Sequence, residues 1–180
     1  VLATPDSEVY SGVWVLDWAQ RSVLATGRPP SFAPELNFPV GRGLHALPLI
    51  DALVTLPLRP FTDPILRYNL QCGLEVAFAF VAAWLVLRPL SANRWAPLPG
   101  ATAFATTPAL LGALQGGPVE TLGLGWLALA VAAVPWSLGA WRRVPLGALA
   151  LGATFLANPY YFVFAAFGTA WLGLTVERPT

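Results

Sequence analysis

Between Val76 and Val176 the chain carries only five ionic side chains, Arg88, Arg94, Glu120, Arg142 and Arg143, and the four arginines fall between long apolar stretches. About 20 apolar residues in a helix, rising about 1.5 Å per residue, match the roughly 30 Å hydrocarbon layer of a bilayer. Each interruption is charged or rich in Pro and Gly, so spans and turns alternate. The expected fold class is all-α, a polytopic transmembrane helix bundle of about five hydrophobic segments.

Composition agrees. The 180 residues are 56% hydrophobic and 11% charged with a mean hydropathy of +0.62, whereas globular domains are about 25% charged. All ten basic residues are Arg and the net charge is +1, which gives no electrostatic case for a nucleic-acid partner. The one cysteine, Cys72, excludes an internal disulfide and any multi-cysteine metal site. The chain has no Met and ends on Glu177-Arg178-Pro179-Thr180, which reads as the start of a loop, so the expectation is a fragment with sequence missing at both ends.

Proline marks the helix starts, because its missing N–H costs nothing at the first helical position. Asp63-Pro64, Gly117-Pro118, Val144-Pro145 and Asn158-Pro159 open spans over about 64–87, 118–141, 145–157 and 159–176. A further span over 99–115 is expected to bend at Pro108. The segment from Pro145 has about 13 residues, roughly 20 Å, short for a crossing; it either borrows length past Asn158 or forms a re-entrant hairpin with its successor.

Short cytoplasmic loops are enriched in Arg and Lys. Placing Arg88 and Arg94 inside puts Gln115 to Glu120 outside, Arg142 and Arg143 inside, Asn158 outside and Arg178 inside. The division is then an extracytoplasmic segment, 1–63, and a membrane bundle, 64–180. The outer segment has arginines of its own, Arg21, Arg28, Arg42 and Arg59; long translocated loops largely escape the charge rule.

That outer segment has a different texture. Thr4-Pro5-Asp6-Ser7-Glu8 has the capping hydroxyl, proline and acids of a helix start. Val9, Val13, Leu16 and Ala19 or Gln20 follow at helical spacing, with Trp14 and Trp18 on a neighbouring face, until Gly27. An amphipathic helix of this kind suits a membrane surface. Residues 28–43 read as a Pro- and Gly-rich loop, and Leu47 to Leu56 as a second short helix that Pro57 and Pro60 break.

Few side chains here can do chemistry. Asp6 and Glu8 either offset the helix dipole or serve a site. Asp17, among Val15, Leu16 and Trp18, faces either interfacial water or a cavity. His45 is either a loop residue or a phosphate contact; Arg42, between two glycines, offers a planar fork on backbone that an anion can approach. Glu75 lies inside a span, where acids are costly and face a bundle interior. With Asp51, Glu120, Asn158 and Tyr160 these groups converge on the outer side, and these positions are expected to line one cavity.

The chain resembles the polytopic, lipid-linked-sugar glycosyltransferases of GT-C architecture and their bacterial relatives. The resemblance runs through Trp14 to Trp18, Pro34-Glu35-Leu36-Asn37-Phe38-Pro39-Val40-Gly41, Tyr68-Asn69-Leu70, Ala103-Phe104-Ala105 to Pro108, and Gly116 to Trp126. It implies a bacterial inner-membrane enzyme with a large outer loop bearing surface helices. It also implies sugar transfer from a polyprenyl-phosphate donor on the extracytoplasmic side. The family's catalytic acid falls on Asp6 with Glu8 beside it and Asp17 as the alternative, acting as base or holding a divalent metal at the donor phosphate. Arg42 and His45 then stabilise the departing lipid phosphate. Competing readings are a transporter, which demands polar groups at mid-membrane depth, and a noncatalytic multi-pass protein whose acids point apart.

Overall fold

The computed structural model describes residues 9–28, 32–33, 40–43, 49–115, 122–138 and 140–175, and these are almost entirely helical. α1 spans Val9–Thr26, α2 Leu49–Thr55, α3 Pro64–Leu87, α4 Pro97–Ala105, α5 Pro108–Gln115, α6 Leu124–Leu138, α7 Val144–Ala157 and α8 Pro159–Thr175. The all-α expectation holds.

α3 shows how local chemistry sets the boundaries. Asp63 is its N-cap, accepting a hydrogen bond from the Leu66 amide at 2.9 Å, and Pro64 occupies the first turn. The helix runs 24 residues and passes into a 3₁₀ turn at Arg88–Leu90. At the far end of α1, Gly27 takes φ +66° and donates to the Val23 carbonyl at 2.8 Å, closing the helix as only glycine does without strain.

Some elements differ from expectation. The span over 99–115 is not one bent helix but two, α4 and α5. The residue before a proline avoids the helical region. The ladder accordingly ends at Thr106, which leaves helical geometry at φ −109°, ψ 21°, while the Thr107 amide turns back to Phe104. α6 ends at Leu138 rather than continuing to Trp141, which opens a 3₁₀ turn through Arg143; the expected start at Pro118 lies outside the described residues. α2 ends at Thr55, before Pro57, and a 3₁₀ helix follows over Leu56–Phe61. Within 28–43 a short antiparallel ladder pairs Phe32 with Gly43 and Ala33 with Arg42. Its strands are β1 (Phe32–Ala33) and β2 (Arg42–Gly43). Gly41 makes this possible, at φ +74° and with the Phe32 ring where a Cβ would stand.

α3 is the hub, packing on α1, α4 and α6, while α6, α7 and α8 form a second group and α2 lies between α1 and α7. The contacts are built from small side chains: Ala79, Ala82, Ala83, Ala101, Ala105, Ala113, Ala130, Ala150, Ala157 and Ala165 are buried. Large apolar groups face outward instead, among them Leu66, Leu70, Leu74, Val81 and Leu85 of α3, Leu146, Leu149 and Phe155 of α7, and Phe164, Phe167 and Trp171 of α8. Among the described residues one helix, Pro64 to Leu90 with its 3₁₀ extension, is long and apolar enough to cross a membrane by length and composition.

Close approach is most demanding at Gly125, where an added Cβ would stand 3.0 Å from the Ala79 backbone and 2.8 Å from the Phe78 ring. Gly125→Val is expected to cost about 1–3 kcal/mol through overpacking. Gly152→Ala, with nothing within 4 Å of the new methyl, should be tolerated. Thermal unfolding in detergent, followed by tryptophan fluorescence, checks the difference.

Candidate functional site

Most of the buried polar side chains of the described interior gather where α1, α2 and the first three turns of α3 meet, with Ser137, Thr154 and Asn158 apart from them. α3 contributes Arg67, Gln71 and Glu75, four residues apart and therefore one above another on its inner face. All three are buried in an otherwise apolar helix.

The outermost member makes an ion pair. Arg67 is 1% exposed and its Nη2 donates to Asp17 Oδ1 at 2.6 Å, while Nη1 donates to the Thr62 carbonyl at 3.3 Å. The other Asp17 oxygen, Oδ2, meets Nε of Arg21 at 2.9 Å, one helical turn along α1. Arg59, on the 3₁₀ helix before α3, brings Nη2 to 4.0 Å from Oδ1. Trp14 and Trp18 stack at 5.6 Å between ring centroids on the same helix, and Trp18 belongs to the packed core formed with Leu16, Ala19, Ala33, Ala52 and Tyr68.

One to two turns further in lies an acid pair. Asp51 and Glu75 are both 5% exposed and their carboxyl groups lie close together. Gln71 Nε2 donates to Glu75 Oε1 at 3.2 Å. From α1, Gln20 Nε2 donates to the Ala52 carbonyl and to Thr55 Oγ1, each at 3.0 Å, and Thr55 Oγ1 donates to the Asp51 carbonyl at 2.7 Å. The Trp126 indole N–H of α6 lies beside the Glu75 carboxylate but outside hydrogen-bond geometry. Glu75 Oε2 has no conventional donor, and Gln71 Oε1 and Gln20 Oε1 are likewise unpartnered.

Two carboxyl groups held close together in a buried site favour one of them keeping its proton. Burial, then the Glu75 charge, pushes Asp51 well above the usual carboxylate range. Gln71 acts in the opposite sense, and Cys72 is the remaining titratable neighbour of the pair.

The positions singled out from sequence distribute as follows. Asp51 and Glu75 come together. Asp17 joins neither; each of its oxygens faces a guanidinium, the geometry of an anchor between α1 and α3. Among the described residues no three His, Cys, Asp or Glu side chains gather as a metal site. Asn158 is the junction between α7 and α8, extended at φ −158°, with its Oδ1 accepting from the Tyr160 amide at 2.8 Å. The Tyr160 ring is exposed, so it does not line an interior cavity. Of Arg42 the backbone is described, in β2. Asp6, Glu8, His45 and Glu120 lie outside the described residues.

Arg67, Gln71, Gln20, Arg59 and Trp126 were not foreseen. The 67, 71, 75 spacing carried a readable signal, a polar stripe at helical period in an apolar helix; nothing in the sequence pointed to Gln20 or Trp126, whose roles depend on which helices meet. Comparison with family models, curated proteins and solved structures finds no match to this chain.

Arg67→Ala leaves Asp17 partly buried without its shortest partner, and a loss of about 3–5 kcal/mol is expected. Arg21→Ala, at a half-exposed position, should cost under about 1 kcal/mol. Paired denaturation curves in detergent distinguish them.

The acid pair also sets a pH dependence. Because Asp51 binds its proton more tightly folded than unfolded, its contribution is complete below the ordinary aspartate pKa and is lost as pH rises through the elevated one. Melting temperature should therefore fall with rising pH across that window. Asp51→Asn, neutral throughout, should flatten the slope.

Proposed function

We propose that the chain is part of a multi-pass integral membrane protein that transfers a sugar from a polyprenyl-phosphate donor on the extracytoplasmic side, in the manner of GT-C glycosyltransferases. The observation that carries the membrane reading is the inverted packing. Helices associate through alanine while Leu, Phe, Val and Trp point outward, the arrangement favoured when the solvent is itself apolar. α3 agrees, since only 33% of its most apolar window is covered by the rest of the chain; the core helix of a water-soluble protein is mostly covered.

α4 with α5, and α6, α7 and α8 of 15, 14 and 17 residues, are the remaining proposed crossings. The arginines at the opposite end from Asp17 suit the cytoplasmic surface. Arg94 lies over the Trp95 ring at 4.8 Å and Arg143 over Trp136 at 4.6 Å, pairings of cation and indole suited to an interface.

Support for transfer chemistry is the resemblance together with the polar end of α3. Asp6, with Glu8, is assigned as the base toward the acceptor hydroxyl, and Arg42 and His45 as the groups that stabilise the departing phosphate. Asp17, fixed by its arginines, positions α1 against α3. If a divalent metal takes part, Asp6 and Glu8 would hold it and it would offset phosphate charge.

The test is sugar transfer from a polyprenyl-phosphate sugar by the protein in lipid vesicles. Asp6→Asn is expected to lower turnover by about 10²-fold or more while binding of donor persists; undiminished transfer removes Asp6 from the mechanism. A second reading, a proton-coupled transporter, is favoured by one observation: two buried carboxyl groups, Asp51 and Glu75, lie together about three turns into the apolar helix. Proton flux in the same vesicles without sugar transfer would select it.

A further inference from the structure

The arginines around Asp17 exceed what one carboxylate requires. Arg67, 2% exposed at its side chain, already balances Asp17 from the inside at 2.6 Å. Arg21 and Arg59 then add two positive charges, and among the described residues the only carboxylate within 4.0 Å of either is that same Asp17. Three guanidinium groups around one carboxylate repel one another unless a further anion joins them.

Exposure is graded in the direction such an anion would come from. Arg67 is enclosed, Arg59 is 27% exposed and Arg21 54% exposed. Arg21 binds Asp17 through Nε, so its two terminal nitrogens extend beyond that contact. A guanidinium fork matches two phosphate oxygens in its plane, and the match is stronger where water is partly excluded. Asp17 holds Arg21 on α1 and Arg67 on α3 at fixed positions, so less side-chain entropy is lost when the anion binds.

Beside the cluster the surface turns apolar. Phe61, two residues after Arg59, is 84% exposed, and Ile65 and Leu66, immediately before Arg67, are 47% and 45% exposed. Charge above and apolar surface alongside is what a molecule with an anionic head and acyl chains fits. We propose that Arg21 and Arg59, braced by Arg67 through Asp17, bind the phosphate of an anionic membrane lipid at the start of α3. The proposal rests on the membrane reading above and is separate from the donor-phosphate role given to Arg42 and His45.

The experiment reconstitutes the full chain into vesicles of phosphatidylcholine with and without phosphatidylglycerol, then counts retained lipid by native mass spectrometry after extraction into a zwitterionic detergent. Wild-type protein should retain phosphatidylglycerol over phosphatidylcholine, and raised salt should weaken that retention. The double variant Arg21→Gln with Arg59→Gln, which leaves the Arg67–Asp17 pair intact, should lose at least about tenfold of the preference. Its melting temperature serves as the control for folding. Equal retention of both lipids by the wild type, or an unchanged preference in the variant, overturns the proposal and leaves the membrane reading standing. Soluble glycerol phosphate displacing the lipid at equal concentration also overturns it, since it would identify a free anion site. Failure of the chain to enter vesicles at all would remove both. Should the variant not fold, salt-insensitive retention by the wild type is by itself sufficient to reject it.

Discussion

The helices of this chain meet through alanine and glycine, and most of its other properties follow from that constraint. A methyl group at the contact lets two backbones approach closely, so much of the stability comes from van der Waals contact along helices, beside a smaller set of buried large side chains such as Leu16, Trp18, Tyr68, Leu110 and Leu122. The extreme case is Gly125 against Ala79, where even a methyl would be crowded. Because the contacts use small residues, most of the bulky apolar side chains have nowhere to go but outward. In water such a surface would drive association; against hydrocarbon it costs nothing.

A lattice of small residues specifies register weakly, and the polar groups at one end of α3 supply what it lacks. The Arg67–Asp17 bond ties α3 to α1, and the Gln20 amide ties α1 to α2 through Ala52 and Thr55. Neither contact need add much net stability, since burying charge and amide offsets most of the gain. Their effect is in the cost of alternatives: sliding α1 by one turn would leave Arg67 and Gln20 buried without partners. Polar satisfaction selects one arrangement among several apolar ones.

The sequence showed the helical elements where punctuation was unambiguous. Asp63-Pro64 and Asn158-Pro159 begin α3 and α8, and Gly27 ends α1, because capping and the lack of a proline N–H act within a few residues. The break between α4 and α5 was misread as a bend: whether a helix kinks or stops at a proline depends on neighbours that can satisfy the freed carbonyls. The site was legible in part. Glu75 announced itself as an acid in an apolar helix, but its partner Asp51 is 24 positions away on another element, and no local pattern links them. Asp17 pairs with Arg21 one turn along its own helix, a partner local sequence could show, but its closest partner Arg67, and Arg59, are remote in sequence.

Arg67, Gln71 and Glu75 share one face of α3, so the ion cluster and the acid pair belong to one polar column. Gln71 stands between them, donating to Glu75 and facing Asp51. The column runs from a half-exposed guanidinium at Arg21, through the enclosed Arg67, to two buried carboxyl groups about three turns into the helix. Positive charge thus sits at its mouth and the acid pair at its base, and the charge of the base depends on how many protons the pair retains.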